Sequence, residues 1–358
     1  MDLRDLLAGV PIRDASPDLP RDVTGAGYDS HTIQPGQAFV AIHGAAADGH
    51  DYTALARQRG ASCAISTHPV EGLPYVIVPD TRQALARIAG NFFRHPDREL
   101  HLIGVTGTNG KTSVAWLTAG MLQALGIRTG LMGTNGCRIG DTVLPSRRTT
   151  PESWEVQRLL RQMADSGCTY AVMEVSSQAL MLHRSQGFVF DFGIFTNIEP
   201  DHIGPNEHSS FEAYLHCKSL LFRQCRVGIV NRDDPHWEQV LEGHTCRVET
   251  YGLLEGSDLR AEGLTLTNEN GTLGVAFHVS GLMNLDAQID MPGRFSVYNA
   301  LTTIAICRHF GVTEENIQRA LKDAKVKGRI EMVKVSDEFT LLIDYAHNAM
   351  ALESLLAT

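Results

Sequence analysis

The amino-acid sequence predicts an α/β fold: a small N-terminal α/β domain, a central domain on a mainly parallel sheet, and the start of a Rossmann-like third domain. Three observations carry this. From about 101 to 330, short strand-like runs alternate with stretches of helical apolar spacing, the pattern of a parallel sheet with helices on both faces. One apolar run, 102–106, passes directly into Gly107-Thr108-Asn109-Gly110-Lys111-Thr112 and then into a helix. A chain of 358 residues is also long enough for two or three domains.

The elements follow in order. Within 1–96, strand-like 38–42 leads to the Gly44-to-Gly49 loop, a helix over 52–59, strands at 63–65 and 75–78, and a helix near 82–93. His95-Pro96 reads as a linker. The second domain, 97–330, offers strands at 102–106, 128–133, 170–175, 190–196 and 226–230. Runs 264–267 and 273–279 flank Asn270-Gly271, a strong hairpin signal, and the hairpin is expected at a sheet edge. A helix near 295–310 ends at Gly311. The remaining stretch, 331–358, offers a strand pair at 331–335 and 339–343 and a helix at 349–356. It is too short to close a core of its own, so it is expected to be the beginning of an incomplete domain.

Composition narrows the function classes. Apolar residues are 43%, charged residues 20%, and the net charge is −10. That argues against a general nucleic-acid binder, whose affinity rests on many Lys and Arg contacts to phosphate. No basic-then-apolar leader and no run of 18 apolar residues is visible, so neither a signal peptide nor a membrane span is expected. The seven cysteines form no C-x-x-C pair and read as scattered reduced thiols. The 15 histidines show no zinc spacing.

The 102–112 segment is a phosphate cradle, the mark of a P-loop ATPase domain. Gly107 and Gly110 let backbone N–H groups turn toward one anion, and the helix that follows adds partial positive charge at its start. Lys111 can reach terminal phosphates, and the Thr112 hydroxyl can hold Mg²⁺. Val114, Leu117, Met121, Leu122 and Leu125 have helical spacing, and Gly126 caps the end. Val105 stands where G-x-x-x-x-G-K-T would have its first glycine, so the loop is shorter.

That short loop resembles the Mur ligase family, and within it the MurE type. The resemblance continues along the chain. It implies a cytoplasmic, monomeric bacterial enzyme, bound to neither membrane nor nucleic acid. Such an enzyme adds the third amino acid to UDP-N-acetylmuramoyl-L-alanyl-D-glutamate, using ATP and two Mg²⁺ ions. Gly107, Thr108, Asn109, Gly110, Lys111, Thr112 and Ser113 would hold the nucleotide phosphates.

Tyr28-Asp29-Ser30-His31, the segment from Pro35 to Ala41, and Asp48-Gly49-His50 resemble the family's uridine-binding segment. Tyr28 and Ser30 would meet the UDP part, with backbone at 45–47 helping. His31 stands where the family has arginine. Read locally, the segment is a turn followed by a buried strand. Thr149-Thr150-Pro151-Glu152 can cap a helix or bind an anion; the resemblance places the muramoyl dipeptide on the Thr-Thr pair.

Strand 170–174 ends in Glu174, then Val175-Ser176-Ser177-Gln178. A carboxylate at the C-terminal end of a buried parallel strand beside the loop suits Mg²⁺, and a buried carboxylate needs a partner. By resemblance Ser176 and Arg184 contact substrate. Gln178 replaces the family's histidine, and Leu182 a glutamine found in some members.

Phe195-Thr196-Asn197-Ile198-Glu199-Pro200-Asp201-His202 resembles the segment whose histidine ligates a second Mg²⁺. Ser209 and Glu212 form a candidate capping box, which puts Lys218 on a helix after two turns. A helical lysine is ordinarily a solvated charge. The resemblance makes Lys218 a carbamylated lysine that helps hold metal, with Lys111 and His202 as the other catalytic groups. Asn299, locally a helix-face amide, would contact adenine. Arg329 would clamp phosphate, and Asp344 would meet the ribose hydroxyls.

The reaction so implied makes an acyl phosphate that an amine then attacks. Two rivals stand beside it: another amide ligase of the same fold, and a non-catalytic nucleotide-sugar-binding fragment. A kinase or GTPase is disfavoured because no N-K-x-D motif is present. The amino acid added is not legible.

Overall fold

The computed structural model describes residues 1–357 apart from 45–46, 141, 206, 270, 323–325, 334, 336–338, 340 and 348. The chain forms two compact units that are not contiguous in sequence. The first comprises Met1–Glu99, Pro151–Ala164 and Ala179–Phe188; the second comprises Leu100–Thr150, Asp165–Gln178 and Val189–Thr358.

The first unit contains α1 (Leu3–Leu6), β1 (Asp14–Ala15), β2 (Gly25–Gly27), β3 (Gln37–Val40), α2 (Thr53–Gln58), β4 (Cys63–Ser66), β5 (Tyr75–Ile77) and α3 (Thr81–Phe92). Its five-stranded sheet has the order β1-β5-β4-β3-β2. β2 to β5 pair in parallel, and β1 closes the edge antiparallel. Asp80 caps α3, accepting from the Arg82 and Gln83 N–H groups. That helix lays Leu85 and Ile88 against Val40, Ile65 and Val76 to form one apolar core. Trp154, from the 151–164 segment, stacks on Phe92 and Phe93.

The second unit opens with β6 (His101–Thr106), α4 (Lys111–Ala124), β7 (Thr129–Gly133), β8 (Gly136–Ile139) and β9 (Thr142–Leu144). After α5 (Ser153–Asp165), most of which packs with the first unit, come β10 (Tyr170–Glu174), α6 (Ser177–Met181), β11 (Phe190–Phe195) and α7 (Phe211–Ser219). Then follow β12 (Cys225–Asn231), α8 (Trp237–Val240), β13 (Arg247–Gly252), β14 (Leu259–Glu269), β15 (Thr272–Gly281) and β16 (Leu285–Ile289). α9 (Arg294–Cys307), α10 (Glu314–Lys322), β17 (Glu331–Val333), β18 (Leu341–Ile343) and α11 (Ala349–Ala357) complete the chain.

The order β16-β15-β14-β13-β12-β11-β6-β10-β7-β8-β9 makes an 11-stranded sheet. Every neighbouring pair from β14 to β7 is parallel. The mixed α/β architecture and its parallel core are as the sequence predicts. α4 packs on β6, β7 and β10, α9 on β12 to β16, and the two helices meet, burying Val114, Leu122, Leu301 and Ile304 in one apolar core. β6 lies between β10 and β11: the chain leaves it through α4 for β7, beyond β10, and later crosses back over it from β10 to β11. In open α/β sheets such a switch point gathers ligands at the strands' C-terminal ends.

Two local expectations are revised. The β14–β15 hairpin is not the outermost element, because β16 pairs beyond it; its Asn270 lies outside the described residues. The cap of α7 is Ser210, not Ser209: its hydroxyl accepts from the Ala213 N–H at 3.2 Å. Thr150, expected to cap a helix or bind an anion, is tied to the end of β10. Its hydroxyl donates to the Glu174 carbonyl at 2.7 Å and accepts from the Ser176 N–H at 3.1 Å.

Candidate active site

The expected phosphate loop turns at Gly107, directly after β6, a position that must be glycine. Gly107 has φ +147, and a Cβ there would run into Thr196 Oγ1. Gly110, at φ +87, begins α4 and lies against Asn299. Thr108 N–H donates to Asn197 O at 2.8 Å, and Asn109 N–H to Asn197 Oδ1 at 2.9 Å. The Thr196 hydroxyl returns a bond to Asn109 O at 2.6 Å. The loop is therefore held open from the end of β11. Ser113 is buried on the first turn of α4.

Lys111 curls back over the loop, its Nζ donating to Gly107 O at 2.8 Å and Thr108 O at 2.9 Å. Burial pulls its ammonium below the ordinary lysine value, and the nearby Glu174 charge opposes that shift. Thr112 donates to Glu174 Oε2 at 3.0 Å and accepts from Arg329 Nη2 at 3.3 Å. Glu174 is 1% exposed. It can enter this position because β7 ends in Gly133, where any Cβ would strike its Oε1.

Thr134 supplies the partner that a buried carboxylate needs. Its N–H donates to Glu174 Oε1 at 2.9 Å and its hydroxyl to Oε2 at 3.2 Å. The same hydroxyl meets Thr149 Oγ1 at 3.1 Å. Thr112, Thr134, Thr149, Thr150 and Ser176 thus converge around the end of β10. Sequence reasoning missed Thr134. The available signal was a second Gly-Thr-Asn, at 133–135, closing a strand as 107–109 does.

Lys218 lies on α7 with 1% exposure, over the Tyr214 ring at 4.3 Å. Its Nζ also donates to Gly107 O, at 2.8 Å. Burial, and after it the charge on Lys111, hold its ammonium far below the usual range. His202 is half-exposed, with φ +55 and its Nδ1 3.1 Å from Glu207. Thr112 and Glu174 offer hard oxygens, and a Cβ at Gly133 would fill the space that Glu174 occupies, so this pair fits Mg²⁺ shared with phosphates. Among the described residues no group of three or more His, Cys, Asp or Glu is placed to hold a metal without such help.

A family model described as the Mur ligase middle domain matches residues 105–307. A second, the Mur ligase family catalytic domain, matches 22–93. The chain belongs to the Mur ligase family. Among curated Mur ligases, it is 37% identical to the UDP-N-acetylmuramoyl-L-alanyl-D-glutamate–2,6-diaminopimelate ligase 1 of Clostridium acetobutylicum, over 99% of this chain and 74% of that protein. It is also 37% identical to the UDP-N-acetylmuramyl-tripeptide synthetase of Roseiflexus sp., over 95% of this chain and 70% of that one. A solved UDP-N-acetylmuramoyl-L-alanyl-D-glutamate–2,6-diaminopimelate ligase superposes with TM-score 0.82 at 25% identity, covering all of this chain and 74% of the other. The fold is shared with MurF of Thermotoga maritima in complex with ADP (TM-score 0.63, 17% identity, 93% of this chain and 74% of that one).

The residues that the Mur resemblance assigns to substrate fall in both units. In the second, Thr149, Thr150 and Ser176 stand together. In the first, Ser30 is buried and Tyr28 donates to Glu155 Oε2 at 2.8 Å. Arg184 donates to Glu152 Oε1 at 2.8 Å, and Arg82 reaches Oε2 at 3.0 Å. Glu152 is thus a buried carboxylate between two guanidiniums. Glu152→Ala is expected to lower unfolding stability by about 3 kcal/mol, because it breaks the buried pair with Arg184 and takes one anionic partner from Arg82. Urea unfolding followed by circular dichroism checks this; an unchanged midpoint contradicts it.

Of the nucleotide residues, Asn299 is buried on α9 facing Gly110. Arg329 lies 4.9 Å over the Tyr345 ring. The Asp344 carboxylate is engaged by its own turn, accepting from the Ile330 and Ala346 N–H groups at 2.8 Å each. Ala45 and Ala46, expected beside the uridine, lie outside the described residues. Among the described residues no helix is long and apolar enough to cross a membrane.

Proposed function

We propose that this chain is the ATP-dependent ligase that adds the third amino acid to UDP-N-acetylmuramoyl-L-alanyl-D-glutamate in peptidoglycan precursor synthesis. The γ-phosphoryl group passes from ATP to a carboxylate oxygen of the D-glutamyl residue, and ADP leaves. An amine then attacks the carbonyl carbon: the C–N bond forms, the C–O bond to phosphate breaks, and the nitrogen loses a proton. The observation that carries this reading is Glu174 closed against Thr112 beside Lys111 at the loop.

Each residue has a task in that scheme. Gly107 to Gly110 present N–H groups to the phosphates, and Lys111 follows the charge on the transferred group. Phosphoryl transfer is mostly positioning and electrostatics, so no side-chain nucleophile is required. Thr112 and Glu174 would hold one Mg²⁺, with His202 and a carbamylated Lys218 at a second. The ions would supply positive charge to the β- and γ-oxygens. Asn299 would meet adenine, Arg329 the phosphates, and Asp344 the ribose. Tyr28, Ser30, Thr149, Thr150, Ser176 and Arg184 would hold the UDP-linked dipeptide.

Hydroxylamine trapping tests the reaction class without the amine. With ATP, Mg²⁺ and the UDP-linked dipeptide, the expected products are ADP and a hydroxamate of the D-glutamyl carboxyl. ADP formation without hydroxamate would exclude an acyl phosphate. 2,6-Diaminopimelate, named in the relatives, is the first amine to supply for full turnover.

Thr134→Val gives a further expectation. It removes one donor from Glu174 while keeping shape, and outer-shell partners of metal ligands are worth about 10–100-fold in affinity. Mg²⁺-dependent ATP binding should weaken about tenfold in calorimetry. Unchanged Mg²⁺ dependence would separate Thr134 from the metal.

A further inference from the structure

A cleft of about 140 Å³ lies wholly within the first unit, among α3, the turn at 95–98 and α5. None of the residues assigned above to nucleotide or substrate lines it. Its volume would take roughly four or five waters, or one small anion.

Gln157 lines this cleft and is 3% exposed. Its Nε2 donates to Asp97 Oδ1 at 2.8 Å. That bond fixes the amide, because a flipped amide would set its carbonyl against the carboxylate. Oε1 is consequently left buried with no partner. Buried acceptors are nearly always satisfied, so an orphaned one in a cleft calls for a donor from outside the chain.

Two cations share the cleft. Arg87 and Arg98 line it, both are exposed, and neither has an ion-pair partner among the described residues. Their field reaches His95, whose pKa is lowered first by burial and then by Arg98, against the opposing charge of Asp97, with Arg87 adding to the lowering. Space is kept by Gly90 in the middle of α3. A Cβ there would lie 2.8 Å from His95 Cε1 and 3.6 Å from Gln157 Nε2.

We propose that this cleft binds a small anion that carries its own hydrogen-bond donor, with Arg87 and Arg98 on the anionic oxygens and Gln157 Oε1 accepting from the donor. Hydrogen phosphate and the zwitterion of a small amino acid both have this chemistry. Sulfate has the charge but no donor, so the orphaned carbonyl discriminates against it.

The test is calorimetric titration at pH 7 with potassium phosphate, glycine and potassium sulfate, on the parent and on an Arg87→Ala/Arg98→Ala protein. Both substitutions are at exposed positions, and circular dichroism checks that the fold is kept. The difference between the two proteins isolates the cleft from any other anion site. Phosphate or glycine should bind at least tenfold more tightly than sulfate, and the double variant should lose that binding tenfold or more. Phosphate alone would make the donor an O–H, and glycine alone an ammonium; either supports the site. Equal binding of sulfate, binding unchanged in the double variant, or no binding of phosphate or glycine would overturn it and leave an adventitious ion only.

Discussion

Lys111→Ala should cut ATP-dependent acyl phosphate formation by roughly 10³-fold, the scale of losing one preorganised charge at a phosphoryl-transfer site. The structure gives this side chain little other work. Its Nζ bonds are to Gly107 O and Thr108 O, carbonyls of its own loop. Removing them leaves β6, α4 and the loop's ties to Asn197 in place, so folding should survive. Hydroxamate yield and circular dichroism, measured together, decide the matter. A folded variant that retains near-normal yield would remove the loop from the chemistry.

Lys218→Ala should be nearly as damaging, for a different reason. Lys111 and Lys218 donate to the same carbonyl, Gly107 O. Their nitrogens therefore lie within about 6 Å, where two ammonium charges repel by about 3 kcal/mol at an effective dielectric of about 20. Lys218 is almost wholly buried, and that burial, followed by the charge on Lys111, lowers its pKa well below the ordinary lysine value. A neutral amine is the form that adds CO₂: the N–C bond forms and one proton leaves. The carbamate that results would turn the repulsion by Lys111 into attraction and offer oxygens to Mg²⁺. Lys218→Ala should thus lose most activity and regain part of it with short carboxylic acids. ¹³CO₂ should give a carbamate carbon signal in the parent that is absent from the variant. A parent without that signal, and a variant without rescue, would leave Lys218 a neutral structural amine.

The same depressed pKa fixes a sign for stability. The folded value lies below the unfolded 10.5, so this group's contribution is fully present above about pH 10.5 and is lost as pH falls toward the folded value. In CO₂-free buffer at pH 7, Lys218→Met should therefore be no less stable than the parent.

Much of the candidate nucleotide site is legible in sequence because its geometry is local. Strand, glycine turn and helix start are consecutive, and Gly107 and Gly110 are required by backbone angles a few residues apart. Glu174 could be placed because it ends a strand. Its surroundings could not. Thr134 directly follows β7, 40 residues earlier in the chain, and no local pattern says that β7 and β10 will pair. The Ser210 cap shows a finer limit: the capping-box pattern points to Ser209, three residues before Glu212, whereas the extended backbone places Ser210 at the cap.

The sequence by itself determined the α/β class, the short phosphate loop, and the residues that carry the Mur resemblance, because period, turn chemistry and strand ends are properties of neighbours. Tertiary structure alone decided which distant groups meet. It sent 151–164 and 179–188 to the first unit, where Trp154 covers Phe92 and Glu152 joins Arg82 to Arg184. It set β16 outside the hairpin, brought two lysines onto one carbonyl, and left the oxygen of Gln157, a residue that lines the cleft, buried without a partner. Such contacts join residues tens to more than a hundred positions apart. Burial of shared apolar surface and the need to pair buried polar groups select them, and neither is decided until the whole chain packs.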